Sequence, residues 1–179
     1  YSVSKAGGAL LWLGIDENGF GAVYMADGYQ ANKVSTNAIE YALQQQSNLD
    51  GAVAWSYQQD GSTFYCLNVS TTTFVYDLST GSWHKWLSFD PVNGYSRHRS
   101  NCGAFFNNVY IVGDYANGKI YQVDNANYTE DGAQIRRLRR APHLVTDLQR
   151  QYFAEMQIQF QPGVGLQTGQ GQDPQAMLR

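Results

Sequence analysis

The sequence is poor in cysteine, proline and charged residues. It holds 2 cysteines and 4 prolines in 179 residues, and only 15% of its residues are charged. A disulfide framework needs more cysteines, so we expect Cys66 and Cys102 to be buried free thiols of a chain made in a reducing cytosol. No apolar run is long enough to span a bilayer, and we therefore expect this segment to make no membrane contact.

The charge balance is weakly acidic and uneven along the chain. A formal net charge of −3 argues against a general nucleic-acid binder, which would be basic. Up to Ser96 there are 3 basic and 8 acidic residues, whereas from Arg97 onward there are 9 basic and 7 acidic residues. The late basic residues are therefore candidates for contacts with acidic partners.

Aromatic residues and glycine are abundant. The aromatic share is 14%, with 13 tyrosines, and there are 18 glycines. Abundant tyrosine and glycine with few prolines are typical of many short strands joined by tight turns. A disordered chain would lack these aromatic residues, so we expect a folded β protein.

The clearest β pattern lies between Phe64 and Trp86. It contains three strand candidates separated by two turns: Phe64 to Val69, Thr73 to Asp77 and Ser82 to Leu87. Gly81 in the second turn can adopt the positive φ that a tight reversal often needs. Trp83 and Trp86 are three residues apart, so a regular strand sends them to opposite faces. This spacing predicts a strand that is covered on both sides, or one that is bent by a bulge.

A related pattern occurs in two further places. The corresponding positions are Tyr65 and Tyr110, and Val75-Tyr76 and Ile120-Tyr121, at an offset of 45 residues, with Trp12 and Val23-Tyr24 as a weaker upstream copy. A period of about 40–50 residues with several short strands per unit is typical of propeller blades. The alternative is a coincidence among tyrosine-rich strands.

The repeated units define the expected architecture. They cover residues 1–27, 51–89 and 101–127. We predict an all-β fold, a partial β-propeller with about three visible blades and one short inserted helix. The blades are expected within residues 1–161, and 162–179 are expected to form a Gly- and Gln-rich loop leading into a further strand. Residues 90–100 are expected to form a loop, and both ends suggest a piece of a longer protein.

The segment between the first two units interrupts the β pattern. The run Ser35-Thr36-Asn37 offers N-caps, and Asn37 with Glu40 approximates a capping box. Ile39, Ala42 and Leu43 then give a short apolar face. The pattern predicts a helix at Asn37–Gln45, which serves either as a connector or as a subunit contact. Its candidate contact residues are Asn37, Glu40, Tyr41 and Gln44.

The segment Ile135–Arg140 contains four arginines, and we predict it to be a strand. Alternation would place positive charge on both faces of this strand, and a buried strand would not tolerate that arrangement. Three interpretations stay open: an exposed strand paired with acidic neighbours, a subunit contact with carboxylates of the next copy, and a contact with DNA phosphate. The interface candidates are Arg136, Arg137, Arg139 and Arg140.

Residues 151–161 alternate between apolar and polar side chains, with Phe153 as the exception. One face would carry Tyr152, Ala154, Met156, Ile158 and Phe160. This alternation predicts a half-buried antiparallel strand with one side in water.

No motif in the sequence indicates catalysis or metal binding. His84, His98 and His143 are far apart, and neither a His-x-x-x-His nor a Cys-x-x-Cys motif is present. There is no serine nucleophile elbow, and nothing places two carboxylates across a sugar as a glycosidase requires. The sequence therefore predicts no enzyme, no catalytic residue, no metal site and no cofactor.

Five stretches are informative as an ordered set. They are VSTNAIEYAL (34–43), FVYDLSTGSWHKW (74–86), VGDYANGKIYQVD (112–124), YTEDGAQIRRLRRAPHL (128–144) and GVGLQTGQGQDPQAMLR (163–179). Together they resemble the packaged-DNA-stabilisation, or tail hub, family of short-tailed bacteriophages. The resemblance implies a ring of β-propeller-containing subunits, a hexamer, that lies beneath the portal and its adaptor.

The same resemblance implies a function. The chain would be a structural tail hub that joins the portal adaptor to the needle and tailspike proteins and helps to retain packaged DNA. It would touch DNA at most through the channel, without sequence-specific contacts. Its place would be the virion tail, after assembly in the host bacterial cytoplasm. The alternative function is a kelch- or sialidase-like propeller that binds or cleaves glycans, which predicts an aromatic-lined pocket with opposed carboxylates.

Overall fold

The computed structural model describes residues 1–142, 144 and 149–159. The chain divides into two compact units, residues 1–125 and the residues from Ala126 onward, and each unit is described by itself. The first unit holds three antiparallel sheets and a short helix.

The first sheet has four antiparallel strands that follow one another in chain order. They are β1 (Ser4–Ala6), β2 (Ala9–Ile15), β3 (Gly21–Asp27) and β4 (Gln30–Lys33). Leu11 on β2 and Val23 on β3 are completely buried. On the opposite face, Trp12 pairs with Tyr24, and their rings stack with centroids 6.0 Å apart. The sequence analysis missed β4 because all of its residues are exposed and it lacks apolar alternation.

Helix α1 (Asn37–Gln44) follows the first sheet and confirms the predicted helix to within one residue. The N-cap is Thr36, whose backbone is extended and whose hydroxyl accepts a hydrogen bond from the Ile39 amide at 3.4 Å. The predicted capping box of Asn37 and Glu40 is therefore wrong, because the helix begins at Asn37 itself. Ile39 and Leu43 are buried, so this face of the helix belongs to the core.

The second sheet has five antiparallel strands in chain order. They are β5 (Val53–Gln59), β6 (Ser62–Asn68), β7 (Thr73–Asp77), β8 (Ser82–Asp90) and β9 (Gly94–Arg97). The three strands predicted between Phe64 and Leu87 are confirmed, and β7 matches its predicted bounds at both ends. The connection between β5 and β6 is the tight turn Asp60-Gly61, in which both residues have positive φ, 50° and 81°.

Strand β9 overturns the expectation of a loop over residues 90–100. β8 continues past Trp86, and its second half pairs with β9 from Leu87 opposite Arg97 to Asp90 opposite Gly94. The carboxylate of Asp90 accepts hydrogen bonds from the two amides that follow Pro91, and these bonds order the turn. The turn residues in this segment therefore close a hairpin and do not form an irregular loop.

The third sheet has three strands. They are β10 (Ser100–Phe106), β11 (Val109–Asp114) and β12 (Ile120–Val123). Asn107 and Asn108 join β10 to β11 and have φ values of 47° and 65°, which is the geometry of a two-residue hairpin. Asparagine tolerates this left-handed region better than most residues, so a glycine is not needed here.

The second sheet lies between the other two and is covered on both faces. One face packs against the first sheet and α1 and contributes Tyr65, Leu67, Phe74 and Tyr76 to a shared core. The other face packs against the third sheet through Trp55, Tyr57, Cys66 and Val75, which meet Val112, Tyr110 and Tyr121. Stacking side by side in this way is what successive blades require, although the three sheets do not close into a ring within residues 1–125.

Trp83 and Trp86 confirm that β8 is covered on both sides. The indole N–H of Trp83 donates to the Val34 carbonyl at 2.9 Å, on the side of the first sheet. The Trp86 ring lies 5.6 Å from the Tyr57 ring, on the side of the third sheet. The spacing of three residues therefore correctly predicted that the two tryptophans lie on opposite faces of β8, each in a different core.

The structure supports the internal repeat at the level of strands. Trp12, Tyr65 and Tyr110 each lie on the second strand of their sheet. Trp12 faces Tyr24 and Tyr65 faces Tyr76, whereas Tyr110 faces Val123. The register of the third copy is thus displaced by two residues, and an even displacement keeps the same side chains on the same face.

The two cysteines differ from the expectation that both are buried. Cys66 is buried and free, as predicted, but Cys102 is free and exposed. Its neighbour Gly103 lies against Trp55 of the second sheet, so alternation turns Cys102 to the outer face of the third sheet.

The second unit contains one short hairpin among its described residues. The hairpin consists of β13 (Thr129–Glu130) and β14 (Ala133–Gln134). Asp131 and Gly132 have φ values of 50° and 82°, which confirms the predicted Asp-Gly turn.

Two predicted strands of the second unit are not formed. Residues 135–140 are not strand, because no face of this arginine-rich segment is apolar and Leu138 is 74% exposed. Residues 151–159 are not strand either, because apolar side chains such as Tyr152 and Met156 remain exposed and have no surface to cover them. Residues 160–179, including the predicted Gly- and Gln-rich loop, lie outside the described residues, and the predicted limit of the blades at residue 161 stays a prediction.

Candidate interaction surfaces and cleft

The first strands of the three sheets, β1, β5 and β10, lie beside one another. The hydroxyl of Ser56 on β5 donates to the Lys5 carbonyl of β1 at 2.6 Å and accepts a hydrogen bond from the Ser4 hydroxyl at 3.2 Å. On the other side of β5, Gly103 of β10 lies against the Trp55 ring, and a Cβ atom there would come within 2.4 Å of Trp55 Cε3. The first strands of the three sheets thus lie side by side, with β5 in the middle, although each belongs to its own sheet.

A cleft of about 310 Å³ opens between the second and third sheets. Its aromatic wall consists of Tyr57, Phe105 and Tyr110, and its polar rim includes Gln59, Asn108 and Gln122. We call this feature the amide–aromatic cleft. A second cavity of about 260 Å³ shares Tyr57 and Tyr110 with it and extends along β1 to Lys5.

The aromatic wall is a stack with one accessible ring. Phe105 is 60% exposed, and its ring centroid lies 4.8 Å from that of Tyr110. Behind them, Tyr57 is only 4% exposed and stacks on Phe64 at 4.9 Å. Burial raises the pKa of Tyr57, so its phenol stays protonated and neutral at ordinary pH.

The described walls of the cleft carry no acidic side chain. Among the described residues that line the cleft and its neighbouring cavity, none is an aspartate or a glutamate. A glycosidase needs two opposed carboxylates, one as the acid and one as the base or nucleophile. The aromatic lining expected for a glycan-processing propeller is present, but the expected carboxylate pair is absent from these walls.

Helix α1 presents a polar outer face. Three of its predicted contact residues are exposed together: Asn37, Tyr41 and Gln44. Tyr41 is 65% exposed, which leaves an aromatic side chain in water. Glu40 differs from these three because it accepts a hydrogen bond from the Ser35 hydroxyl at 2.8 Å and pairs with Lys33 at 3.0 Å. The exposed face of α1 is therefore defined by Asn37, Tyr41 and Gln44, and Glu40 is engaged within its own chain.

The arginine segment lies in the second unit and is exposed throughout. Arg136, Arg137, Arg139 and Arg140 are all exposed. The guanidinium of Arg137 lies 6.0 Å from the Tyr128 ring centroid of the same unit. Within the described residues, Arg137, Arg139 and Arg140 form no ion pair. The segment is exposed as predicted but is not a strand, and whether its arginines contact acidic neighbours or another molecule stays a prediction.

Sequence reasoning missed a partly buried ion pair between Arg99 and Asp114, at one end of the third sheet. Arg99 Nη1 lies 3.4 Å from Asp114 Oδ2, and the Asp114 side chain is completely covered. Burial opposes ionisation of Asp114, but hydrogen bonds from the Ala116 amide, the Tyr121 hydroxyl and Arg99, with the charge of Arg99, hold its pKa below the ordinary value. This pair ties the residues before β10 to the turn between β11 and β12.

The amide–aromatic cleft was also missed, although its residues lie at recognisable places. Gln59 immediately precedes the Asp60-Gly61 turn, and Phe105 lies just before the Asn107-Asn108 turn. Residues that flank two tight turns of neighbouring sheets are brought to the same end of the stack. The positions of these residues beside the two turns could have indicated that they lie at the same end of the stack. They do not indicate how far apart the two sheets lie.

The described residues contain neither a metal-binding cluster nor a membrane-spanning helix. No three side chains among histidine, cysteine, aspartate and glutamate come together there as a metal ion requires. No helix in that part of the chain is long and apolar enough to cross a membrane.

A comparison with models of protein families gives a match over most of the chain. A family model described as "Bacteriophage P22 Gp10, beta-propeller" matches residues 1–128. The matched range contains the entire first unit, with its three stacked sheets, and the beginning of the second. The comparison with curated proteins finds no match. The described fold of three like sheets with one short helix agrees with this match, which confirms the predicted all-β, partial β-propeller class.

Proposed function

Because the chain belongs to the bacteriophage P22 Gp10 β-propeller family of phage tail hub and DNA-stabilisation proteins, we propose that it is one subunit of a ring in the phage tail. The family is a structural one, so the chain has a structural role in the virion. The observation that carries the proposal is the family match itself, which covers the same residues that fold as three stacked sheets. The ring would be a hexamer.

The proposed ring joins the portal adaptor to the needle and tailspike proteins and helps to retain packaged DNA. Its weakly acidic charge supports a wall that does not grip passing DNA, because the net charge of −3 repels phosphate. Sequence-specific DNA contacts form no part of this role. Assembly would take place in the host bacterial cytoplasm, and no cofactor is required.

The arginine segment is the proposed contact between neighbouring subunits. Arg137, Arg139 and Arg140 are exposed and form no ion pair within the described residues. The first 96 residues carry a clear excess of acidic side chains, which provides carboxylates for arginines of the next copy. The exposed face of α1, with Tyr41 at its centre, is the second proposed contact, since tyrosine is favoured at protein interfaces.

Native mass spectrometry of the full chain tests the ring, and capture of the portal adaptor of the same phage tests the partner. We expect a closed ring of identical subunits that retains the adaptor. A chain that stays monomeric at micromolar concentration and does not bind the adaptor contradicts the proposal. Electron microscopy of the captured complex then identifies the face that meets each partner.

A further inference from the structure

We propose that the amide–aromatic cleft is a binding site for an uncharged carbohydrate. This role goes beyond the structural hub and does not depend on ring assembly, because the cleft lies within residues 1–125 of a single chain. The argument rests on three properties of the cleft: an accessible aromatic ring, amides with unused hydrogen-bonding capacity, and the absence of charge from its walls.

Phe105 supplies the stacking surface. It is 60% exposed, yet it is held in place by Tyr110, whose ring centroid lies 4.8 Å away. Tyr110 in turn meets Tyr57 edge-on at 6.0 Å, and Tyr57 is buried. The apolar C–H face of a pyranose ring packs on an aromatic face of this kind, and a ring that is already ordered loses little entropy on binding.

The rim supplies hydrogen-bonding groups that match sugar hydroxyls. Gln59 and Asn108 line the cleft, and in the described part of the chain their side chains form no hydrogen bond. Each side-chain amide offers two donors and one acceptor oxygen, so one amide can bind two adjacent hydroxyl groups at once. Apolar contacts combined with a few placed polar groups are the usual construction of a small-molecule site, and about 310 Å³ lies at the lower end of the usual volume range.

The walls carry no charge, and this decides the class of sugar. The described lining residues of the amide–aromatic cleft include no aspartate, glutamate, lysine, arginine or histidine. An acidic sugar would therefore lose hydration without gaining a cationic partner, which is costly. Lys5 lines the neighbouring cavity and not this cleft. The ligand is consequently a neutral oligosaccharide segment.

A peptide fits the cleft less well. Strand addition needs an open sheet edge, whereas this cleft lies between the facing surfaces of two sheets. A proline-rich helix needs a groove with several accessible aromatic rings, but Tyr57 is only 4% exposed and Phe105 alone presents a large open face. One open ring surrounded by amides corresponds to a single sugar unit.

The test is an NMR titration of the full chain, labelled with ¹⁵N, in which the side-chain amide resonances are followed. The probes are four neutral hexasaccharides (maltohexaose, cellohexaose, chitohexaose and mannohexaose), with hexagalacturonate as an acidic probe and decaproline as a peptide probe. We expect at least one neutral probe to cause saturable shifts at Gln59 and Asn108.

Adjacent phenylalanines provide a matched control. Phe105→Ala should weaken binding by about tenfold or more, as expected for an anchoring aromatic side chain. Phe106→Ala, on the outer face of the same strand and 68% exposed, should change it by less than about twofold. Gln59→Ala should weaken binding as well, and thermal unfolding of each variant verifies that it folds.

Several results would overturn the assignment. The first is the absence of saturable shifts with all four neutral probes at about 10 mM, a concentration far above the micromolar range in which specific ligands bind. The second is an equal effect of Phe105→Ala and Phe106→Ala on binding. The third is tighter binding of hexagalacturonate or decaproline in the cleft. Ring formation in native mass spectrometry is unaffected by any of these results, so the hub proposal and the carbohydrate site fail separately.

Discussion

Gly103 lies directly against the Trp55 ring, and a Cβ atom on Gly103 would come within 2.4 Å of Trp55 Cε3. This contact brings β10 of the third sheet onto β5 of the second, and it sets the separation of the two sheets. Trp55 is 4% exposed and packs on the rings of Tyr57 and Trp86, so it has no room to move aside. The close packing of β10 on β5 therefore depends on the absence of a side chain at position 103.

Gly103→Ala should lower the free energy of unfolding by about 1–3 kcal/mol, because an added methyl group in a packed core forces neighbouring groups apart. Gly118→Ala is the matched control: nothing lies within 4 Å of its built Cβ, and it should change the free energy by less than about 0.5 kcal/mol. Urea unfolding of both variants measures the difference. Equal unfolding midpoints for the two variants would show that the third sheet does not need this close approach.

Asp114→Asn should remove a pH-dependent contribution to stability. The pKa of folded Asp114 lies below its ordinary value of 3.8, so its carboxylate stabilises the fold above that pH. This contribution is lost as the pH falls through the folded-state pKa. At pH 7 the variant should unfold at lower urea concentration than the wild type, and the gap should shrink once the pH falls below the ordinary value.

Tyr121→Phe tests the hydrogen bond to Asp114 separately from the ion pair between Asp114 and Arg99. It removes the hydrogen bond that the Tyr121 hydroxyl donates to Asp114 at 3.1 Å and leaves the Arg99 pair in place. Its loss of stability at pH 7 should therefore be smaller than that of Asp114→Asn. A gap between wild type and Asp114→Asn that does not change with pH would mean that the carboxylate charge has no part in the effect.

The double variant Arg137→Glu with Arg139→Glu should weaken ring assembly by about tenfold or more, which corresponds to about 1.4 kcal/mol, while the chain still folds. The reason is that both side chains are exposed in the free chain and would meet carboxylates only in the ring. Native mass spectrometry across a dilution series measures the change. The control is Lys5→Glu with Lys85→Glu, which alters net charge equally at two exposed sites of the first unit. Rings that survive equally in both double variants would refute the proposed arginine contact.

Thr36→Ala should destabilise the fold by about 1 kcal/mol, because the Thr36 hydroxyl accepts the Ile39 amide hydrogen at the start of α1. Asn37→Ala should have an effect below about 0.5 kcal/mol, since Asn37 is exposed and already within the helix. Thermal or urea unfolding distinguishes the two. A larger loss for Asn37→Ala would restore Asn37 as the capping residue.

The errors of sequence reasoning have physical causes. The Ile135–Arg140 and 151–161 strands were predicted from alternation, but alternation produces a strand only where another surface covers its apolar face. Tyr152 at 83% exposure shows that such a surface is lacking in the described residues. Conversely, β4 formed without alternation, because pairing with the exposed edge of β3 was enough. The burial of Cys102 was misjudged because one residue of register decides which face a side chain occupies.

The surroundings of the candidate contact residues could be predicted only in part from the sequence. Exposure of Asn37, Tyr41 and Gln44 followed from the helical period, since Ile39 and Leu43 had to face the core. The engagement of Glu40 by Ser35 and Lys33 did not follow, because it depends on how the chain enters the helix. Likewise, Phe105 and Gln59 are 46 residues apart and meet only through the stacking of two sheets.

The sequence by itself determined the local elements: the bounds of β7, the Asp60-Gly61 turn, the opposite orientation of Trp83 and Trp86, and the recurrence of one hairpin in three sheets. Each of these follows from side-chain period or backbone φ preference, which act over a few residues. Only the tertiary structure decided the contact of Gly103 with Trp55, the cleft beside it and the outward orientation of Cys102. These depend on the distance and register between sheets, which are set by packing among residues far apart in the chain.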